Sequence, residues 1–234
     1  MRNFWGYYDN GKYRVGCNGG TVYIYDQNNK ELAKFKDIRY AYKGKFLPNS
    51  NKIIIKSTEG LLAVYDLDKL ELIKKIVITR IGGQDEGFDF SNDGKYFYNI
   101  EQPFTTIRMQ LTKYSTKDFN VVETLFSNRK DLLLENIEFD NETNDCYVLG
   151  FMRNKEGVYD YGFIGQFDGN EIVNIRKLEN AIYDYVRGYK CWEEAGFTER
   201  SLGVHIRKAK KIINISLKEI FLNENLEKLI KNSL

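Results

Sequence analysis

The sequence is poor in the residues that would indicate a disulfide framework, a zinc site or a membrane span. Its 234 residues include one histidine, two prolines and three cysteines, and the cysteines are widely separated at Cys17, Cys146 and Cys191. An odd number of distant cysteines favours free thiols in a reducing compartment, and without Cys-x-x-Cys spacing they do not predict zinc ligation. No run approaches about 18 apolar residues, so we expect no transmembrane helix. No apolar leader opens the chain, so we expect a cytoplasmic protein. We also expect no cofactor, since no cofactor-binding motif is present.

The charge is nearly balanced, with 35 basic and 33 acidic residues and a net charge of +2. Such a weak overall field gives no reason to expect nucleic acid as the partner. Aromatic residues are abundant instead, at 15%, with 17 tyrosines and 15 phenylalanines beside 19 glycines. Because aromatic side chains fit the half-buried, pleated surface of a sheet, the composition favours a β-rich domain.

Two short patterns recur four times along the chain. The first is a turn rich in Asn, Asp and Gly followed by an apolar strand, at residues 9–13, 48–53, 91–96 and 140–147. These residue types reverse the chain at little conformational cost, so each site predicts a hairpin. The second is a strand that ends in an aromatic residue, usually followed by Asp, at Tyr25, Tyr65, Tyr114 and Phe167. Each pair of patterns, with the short strand after it, predicts one four-stranded antiparallel sheet. The aromatic residue at the end of its third strand should be mostly buried between sheets.

Four such sheets in series resemble the blades of a β-propeller of the WD40-like or YVTN-like kind. Tyr-Asp or Phe-Asp stands where WD40 blades carry Trp-Asp, but the chain lacks their Gly-His dipeptide, since His205 is its one histidine. The predicted blades cover about residues 3–36, 39–78, 86–127 and 132–178. The resemblance implies an all-β fold that presents binding loops on a rigid scaffold.

The repeat weakens after residue 179. Residues 181–215 predict a degenerate fifth blade, which would make five blades rather than four, and the alternative is an open ring completed by the tail or by a partner. From Ser216 the period changes, because Ser216 and Glu219 match a capping box and apolar residues then recur at helical spacing. We therefore predict one or two helices over residues 216–234, packed on the propeller.

The long loops of the predicted propeller carry the candidate binding residues. Loops between the second and third strands and loops between blades share one face, where Glu101–Arg108 and Arg153–Tyr159 are the longest insertions. Long loops on a rigid scaffold often carry function, and arginine and aromatic side chains dominate interface hot spots. The predicted partner-binding residues are Arg80, Phe104, Arg108, Arg129, Arg153 and Tyr159. We therefore predict a non-enzymatic module that binds another protein, and the resemblance to small bacterial or phage proteins adds the hypothesis of an immunity or accessory factor that binds a toxin.

Two other functions stay open. Asp85-Glu86 and Glu193-Glu194 are adjacent carboxylate pairs, and glycoside hydrolysis uses two carboxylates across a cleft, so a carbohydrate-active hydrolase is the first alternative. The second is RNA or anion binding through a basic stretch that contains Arg207, Lys208, Lys210 and Lys211. No nucleophile motif accompanies the single histidine, so the sequence predicts no catalytic residue and no metal ligand.

Overall fold

The computed structural model describes residues 4–78, 87–103, 109–194 and 215–223, with positions 225 and 228. Within these ranges the chain forms sixteen strands and two helices. The strands are β1 Gly6–Asp9, β2 Tyr13–Asn18, β3 Thr21–Asp26, β4 Glu31–Phe35, β5 Ala41–Phe46, β6 Lys52–Ser57, β7 Leu61–Asp66, β8 Glu71–Val77, β9 Phe88–Phe90, β10 Tyr96–Glu101, β11 Gln110–Ser115, β12 Val121–Leu125, β13 Leu132–Phe139, β14 Cys146–Arg153, β15 Tyr159–Phe167 and β16 Ile172–Leu178. The helices are α1 Asn180–Glu194 and α2 Leu217–Leu222.

The strands pair into four antiparallel sheets of four, each with its strands in chain order. Sheet A contains β1–β4, sheet B β5–β8, sheet C β9–β12 and sheet D β13–β16. Sheets A and B belong to one compact unit, unit 1. Sheets C and D and the two helices belong to a second, unit 2, apart from Glu101 at the end of β10 and the last three residues of α1. The predicted all-β, propeller-like fold with four four-stranded blades is confirmed.

The Asn- and Asp-rich turns join the first two strands of each sheet. They hold left-handed backbone at Gly11 (φ 82°), Asn49 (φ 52°), Gly94 (φ 67°) and Asn144 (φ 64°). Gly and Asn adopt this conformation at the lowest steric cost, which explains their recurrence. Side chains close the turns as well: the Asn10 carboxamide oxygen accepts the backbone N–H of Lys12 and Tyr13. The predicted hairpins are therefore present.

The aromatic–Asp pattern marks the end of the third strand of each sheet. The pairing with the fourth strand is irregular at or just before each aromatic residue. The polar residue that follows closes the next turn by accepting backbone N–H groups, as the side chains of Asp26, Asp66, Ser115 and Asp168 do. The aspartate of the pattern is therefore a turn former, and the aromatic residue beside it is a packing residue.

Three of the four repeated aromatic residues are buried as predicted: Tyr65, Tyr114 and Phe167. Tyr25 is less buried than the other three, with an intermediate exposed fraction. In unit 1, Tyr65 stacks on Phe35 of the preceding sheet, with ring centroids 4.7 Å apart. No sheet precedes sheet A among the described residues of unit 1, and the Tyr25 ring contacts Phe4 and Tyr23 instead.

Helices α1 and α2 cover one face of sheet D. Their apolar side chains form a core with β14–β16 that includes Tyr147, Leu149, Ile164, Leu178, Ile182, Tyr183, Val186, Leu217 and Ile220. The predicted capping box is present at the start of α2: the Ser216 hydroxyl accepts the Glu219 N–H at 3.1 Å, and the Glu219 carboxylate accepts the Ser216 N–H at 2.8 Å. Lys218 also pairs with Asp140 at 3.0 Å. The predicted C-terminal helix therefore exists and packs on the β domain.

The predicted fifth blade is wrong in its first part, because residues 181–191 lie in α1. Ile182, Tyr183 and Val186 recur at helical spacing and are all buried. Packing of this apolar side on sheet D stabilises a helix despite the β-propensity of tyrosine and valine. Residues 192–194 also lie in α1. The remainder of the predicted blade lies outside the described residues, except for Ile215, which is buried in the same core.

Candidate protein-binding site

The candidate residues fall into two groups with respect to the structure. Arg129, Arg153 and Tyr159 are described, and all three belong to unit 2. The others lie outside the described residues, namely Arg80, Phe104, Arg108, Arg207, Lys208, Lys210 and Lys211. The site is therefore built from the first group and its neighbours.

Arg129 and Arg153 are connected through Asp131 in the segment between sheets C and D. The Arg129 guanidinium donates from Nε and Nη2 to the two oxygens of Asp131, both at 2.7 Å. This two-point pair lowers the pKa of the Asp131 carboxyl, with burial opposing the shift. The Asp131 carbonyl in turn accepts the backbone N–H of Arg153 at 2.7 Å. Arg129 thus has a fixed intramolecular partner, and its main effect is to hold this segment against the end of β14.

The turn between β14 and β15 presents two apolar side chains to solvent. The Asn154 side chain accepts the N–H groups of Glu156 and Val158, and the Asn154 N–H donates to the Val158 carbonyl at 2.9 Å. This closed turn leaves the Val158 side chain 60% exposed and that of Tyr159 38% exposed. The segment is therefore an ordered projection with an apolar tip.

Three aromatic rings form a shelf below this tip. The Phe151 ring lies 5.5 Å from the Tyr159 ring and 6.3 Å from the Tyr183 ring, and Tyr159 and Tyr183 are 6.0 Å apart. The Arg153 guanidinium lies 5.7 Å from the centre of the Phe151 ring, within the range of a cation–π contact. The Tyr159 hydroxyl donates to the Asn180 side chain at 3.0 Å, which ties the shelf to the start of α1. Arg153 and Tyr159 therefore both contact the Phe151 ring.

Gly162 allows the shelf to form. A β-carbon at this position would lie 2.2 Å from Cγ of Tyr183, a distance that real atoms do not adopt. Tyr183 can lie flat on β15 only because this glycine has no side chain. The position of α1 on sheet D therefore depends on one residue in the middle of a strand.

A charged pair borders the shelf on its inner side. The Glu135 carboxylate lies 3.1 Å from Nε of Arg187, and the Tyr183 hydroxyl donates to the same carboxylate oxygen at 3.5 Å. Burial first, and then this carboxylate, raise the pKa of Tyr183. The tyrosine therefore stays neutral at any physiological pH. The Arg187 side chain is 54% exposed, so a cation stands beside the aromatic rings.

Sequence reasoning missed four members of this arrangement: Phe151, Val158, Tyr183 and Arg187. Phe151 and Val158 lie beside predicted residues and were accessible to the same argument. Tyr183 and Arg187 were missed because their segment was assigned to strands. The spacing of Ile182, Tyr183 and Val186 was the available signal, since these positions fall on one side of a helix.

Unit 1 has exposed aromatic residues at the corresponding strand ends. Trp5 and Tyr40 are each 60% exposed. Tyr40 has a positive φ of 48°, which is uncommon for a bulky residue. Backbone bonds fix this region: Trp5 N–H donates to the Cys17 carbonyl at 2.7 Å, and Ala41 N–H donates to the Gly19 carbonyl at 3.2 Å. Neither Trp5 nor Tyr40 was among the predicted binding residues.

The described residues include little of the sites predicted for the two alternative functions. Asp85 and Glu86 lie outside them, and Glu193 and Glu194 are described only as the last residues of α1. In the part of the chain that is described, no group of three or more His, Cys, Asp or Glu side chains is placed to hold a metal ion. Neither helix there is long and apolar enough to cross a membrane. Cys17 is buried, and burial raises the pKa of its thiol to about 12, so it is unreactive.

Comparisons with known proteins give a likeness of fold. No protein-family model matches the chain, and no curated protein matches it. Among solved structures, hydrazine synthase of Kuenenia stuttgartiensis is similar, with a TM-score of 0.58 and 15% identity. The match covers 73% of this chain and 51% of that one. At this identity, the likeness concerns the fold alone. A shared fold does not imply a shared activity, so any function has to be argued from the geometry of the site residues in unit 2.

Proposed function

We propose that the protein is a non-enzymatic binding module that holds a partner protein against the β14–β15 turn and the aromatic shelf of unit 2. The observation that carries the proposal is the ordered exposure of Val158 and Tyr159 above Phe151 and Tyr183, with Arg153 stacked beside them. The shelf combines the residue types that contribute most to protein interfaces: tyrosine, arginine and phenylalanine.

The energetics of the shelf also favour a protein partner. Its side chains are held by neighbours, since the Tyr159 hydroxyl is bonded to Asn180 and the Asn154 turn fixes Val158. A partner would therefore bury apolar area without first ordering these side chains, and so would avoid one of the entropic costs of binding. Arg187 and Arg153 at the margin would orient the partner through hydrogen bonds, as charged groups at the rim of an interface do.

The wider resemblance supports the same class of function. Blades of the WD40-like or YVTN-like kind usually serve as scaffolds for binding, and the described turn follows the repeat at the second and third strands of sheet D. Within this class, an immunity or accessory factor that binds a toxin remains our more specific hypothesis. The cation-bearing shelf would fit a partner surface with apolar and acidic residues.

A matched pair of valine substitutions tests the proposal. Val158→Asp introduces a charge at the tip of the shelf, and Val121→Asp introduces the same charge at the opposite strand end of unit 2, where Val121 is 57% exposed. Both residues are exposed to a similar degree, so each change should alter the free energy of unfolding by about 0.5 kcal/mol or less. Equal thermal transitions would establish that both variants are folded.

Binding is then compared by quantitative affinity capture from a lysate of the source cells, followed by titration of the captured protein after its purification. We expect Val158→Asp to weaken binding at least about tenfold and Val121→Asp to leave it unchanged. Equal binding by wild type and Val158→Asp would contradict the proposed site. Loss of binding only on neutralising Arg207, Lys208, Lys210 and Lys211 would move the site to the basic stretch.

A further inference from the structure

The sequence contains the dipeptide Asn-Gly twice, at Asn10-Gly11 and at Asn18-Gly19. Both lie in hairpin turns of sheet A, eight residues apart in the chain. This dipeptide is the one most prone to spontaneous loss of the asparagine amide, because glycine offers its backbone nitrogen to the asparagine side chain without steric hindrance. Asparagine is for this reason among the thermolabile residues. The two copies differ sharply in their hydrogen bonding.

Asn10-Gly11 is locked in its turn. The Gly11 N–H, which would have to lose its proton and attack, donates to the Asp9 carboxylate at 2.8 Å. The Asn10 carboxamide oxygen accepts the N–H groups of Lys12 and Tyr13, and its nitrogen donates to the Asn51 side chain at 3.2 Å. Reaction at this position requires several of these bonds to break at once.

The Asn18-Gly19 dipeptide is held by fewer hydrogen bonds than Asn10-Gly11. Asn18 ends β2 with an exposed side chain, and Gly19 begins the two-residue connection to β3, with φ 55°. Among the described residues, none forms a hydrogen bond with the Asn18 carboxamide. The Gly19 backbone faces Ala41 in an isolated antiparallel bridge, whose one short hydrogen bond runs from the Ala41 N–H to the Gly19 carbonyl. The space beside Gly19 is also empty to 4 Å at the position of a β-carbon. The Asn18 carboxamide is therefore exposed to water in the folded protein and is not held by hydrogen bonds of the kind that fix Asn10.

We propose that Asn18 is a site of spontaneous deamidation in the native protein, and that Asn10 is protected. A solvent base removes the proton of the Gly19 amide, and the nitrogen forms a bond to Cγ of Asn18. The Cγ–Nδ2 bond then breaks, and the nitrogen leaves with a proton from solvent as ammonia. Water opens the resulting succinimide at either carbonyl, which yields aspartate or isoaspartate at position 18. The only co-reactant is water.

The product changes the strand end of unit 1 where the aromatic residues are exposed. The residue before Asn18, Cys17, accepts the Trp5 N–H, and the residue after it, Gly19, accepts the Ala41 N–H next to Tyr40. Deamidation therefore adds a carboxylate beside two exposed aromatic residues. The isoaspartate product also lengthens the main chain by one carbon between β2 and β3, where register depends on a two-residue connection.

Peptide mapping of the intact folded protein tests the inference. The purified chain is incubated at mildly alkaline pH, and the fractions of aspartate and isoaspartate at positions 10 and 18 are measured by mass spectrometry over time. We expect position 18 to convert at least about tenfold faster than position 10, from the bonds that position 10 alone must break. In denaturant, where both turns are lost, the two rates should become similar.

Two variants provide the controls. Asp9→Ala removes the acceptor of the Gly11 N–H, so it should accelerate conversion at position 10 several-fold and leave position 18 unchanged. Asn18→Gln should abolish the signal at position 18, because the longer side chain does not close the five-membered ring readily. Equal rates at positions 10 and 18 in the folded protein, or an unmodified position 18 under conditions that convert the denatured chain, would overturn the proposal.

Discussion

The repeated aromatic position offers a direct comparison of burial at one place in the fold. Tyr65 and Tyr25 occupy the same site on the third strand of neighbouring sheets within unit 1, yet Tyr65 is fully buried and Tyr25 is half-buried. We expect Tyr65→Ala to lower the free energy of unfolding by about 3–5 kcal/mol, since it leaves a cavity where a large ring was packed. Part of this cost, about 0.5–1.5 kcal/mol, comes from the lost stack on Phe35. For Tyr25→Ala we expect about 1–2 kcal/mol, because less area is withdrawn from water.

A third variant separates the ring from its hydroxyl. The Asp37 carboxylate lies near enough to the buried Tyr65 hydroxyl to raise its pKa, but no group among the described residues meets hydrogen-bond geometry with that hydroxyl. Tyr65→Phe should therefore be neutral or slightly stabilising, because it removes an unsatisfied polar group. Urea denaturation followed by circular dichroism measures all three changes, provided that the slope of free energy against urea stays constant. Equal losses for Tyr65→Ala and Tyr25→Ala, or a marked loss for Tyr65→Phe, would refute the reasoning.

Two further predictions concern unit 2. Gly162→Ala should lower stability by about 1–3 kcal/mol, because the added carbon collides with Tyr183; Gly20→Ala, where the space is open, is the control, and equal thermal shifts would contradict the packing argument. The second concerns acid: backbone N–H groups of its own turn, and then Lys218, lower the pKa of Asp140 to about 2. Because the folded pKa lies below the unfolded value of about 3.9, this stabilisation is complete above about pH 4 and is lost as the pH falls towards 2. Urea midpoints measured across this range should fall less steeply for Asp140→Asn than for wild type, and parallel curves would show that Asp140 does not contribute.

The repeat made the β domain predictable from sequence because the same local chemistry occurs four times. A turn needs left-handed backbone, and Gly or Asn supplies it at Gly11, Asn49, Gly94 and Asn144. An aspartate after an aromatic residue closes the next turn, as Asp66 does after Tyr65. These are short-range requirements, so a single sequence displays them. The capping box at Ser216 and Glu219 was predictable for the same reason.

The parts that were missed depend on contacts between distant residues. Helix α1 contains three tyrosines and one valine, residue types that favour strands in isolation. It is the packing of Tyr183 over Gly162 that stabilises the helix. Likewise, the hydrogen bond from the Arg153 N–H to the Asp131 carbonyl joins distant residues, and it links the Arg129–Asp131 pair to the end of β14. The half-burial of Tyr25 also could not be read from the repeat, because it follows from which sheets are neighbours.

Helices α1 and α2 occupy a face of sheet D on which a further sheet could otherwise pack. In a series of stacked sheets, each sheet offers an apolar face that the next one must cover, and a terminal element is needed to stop the series. Here the face of β14 and β15 around Tyr147, Leu149 and Ile164 is already occupied by α1 and α2. A further blade on this face would have to displace both helices and break the Lys218–Asp140 pair. The helical segment therefore closes this face of sheet D to any further sheet.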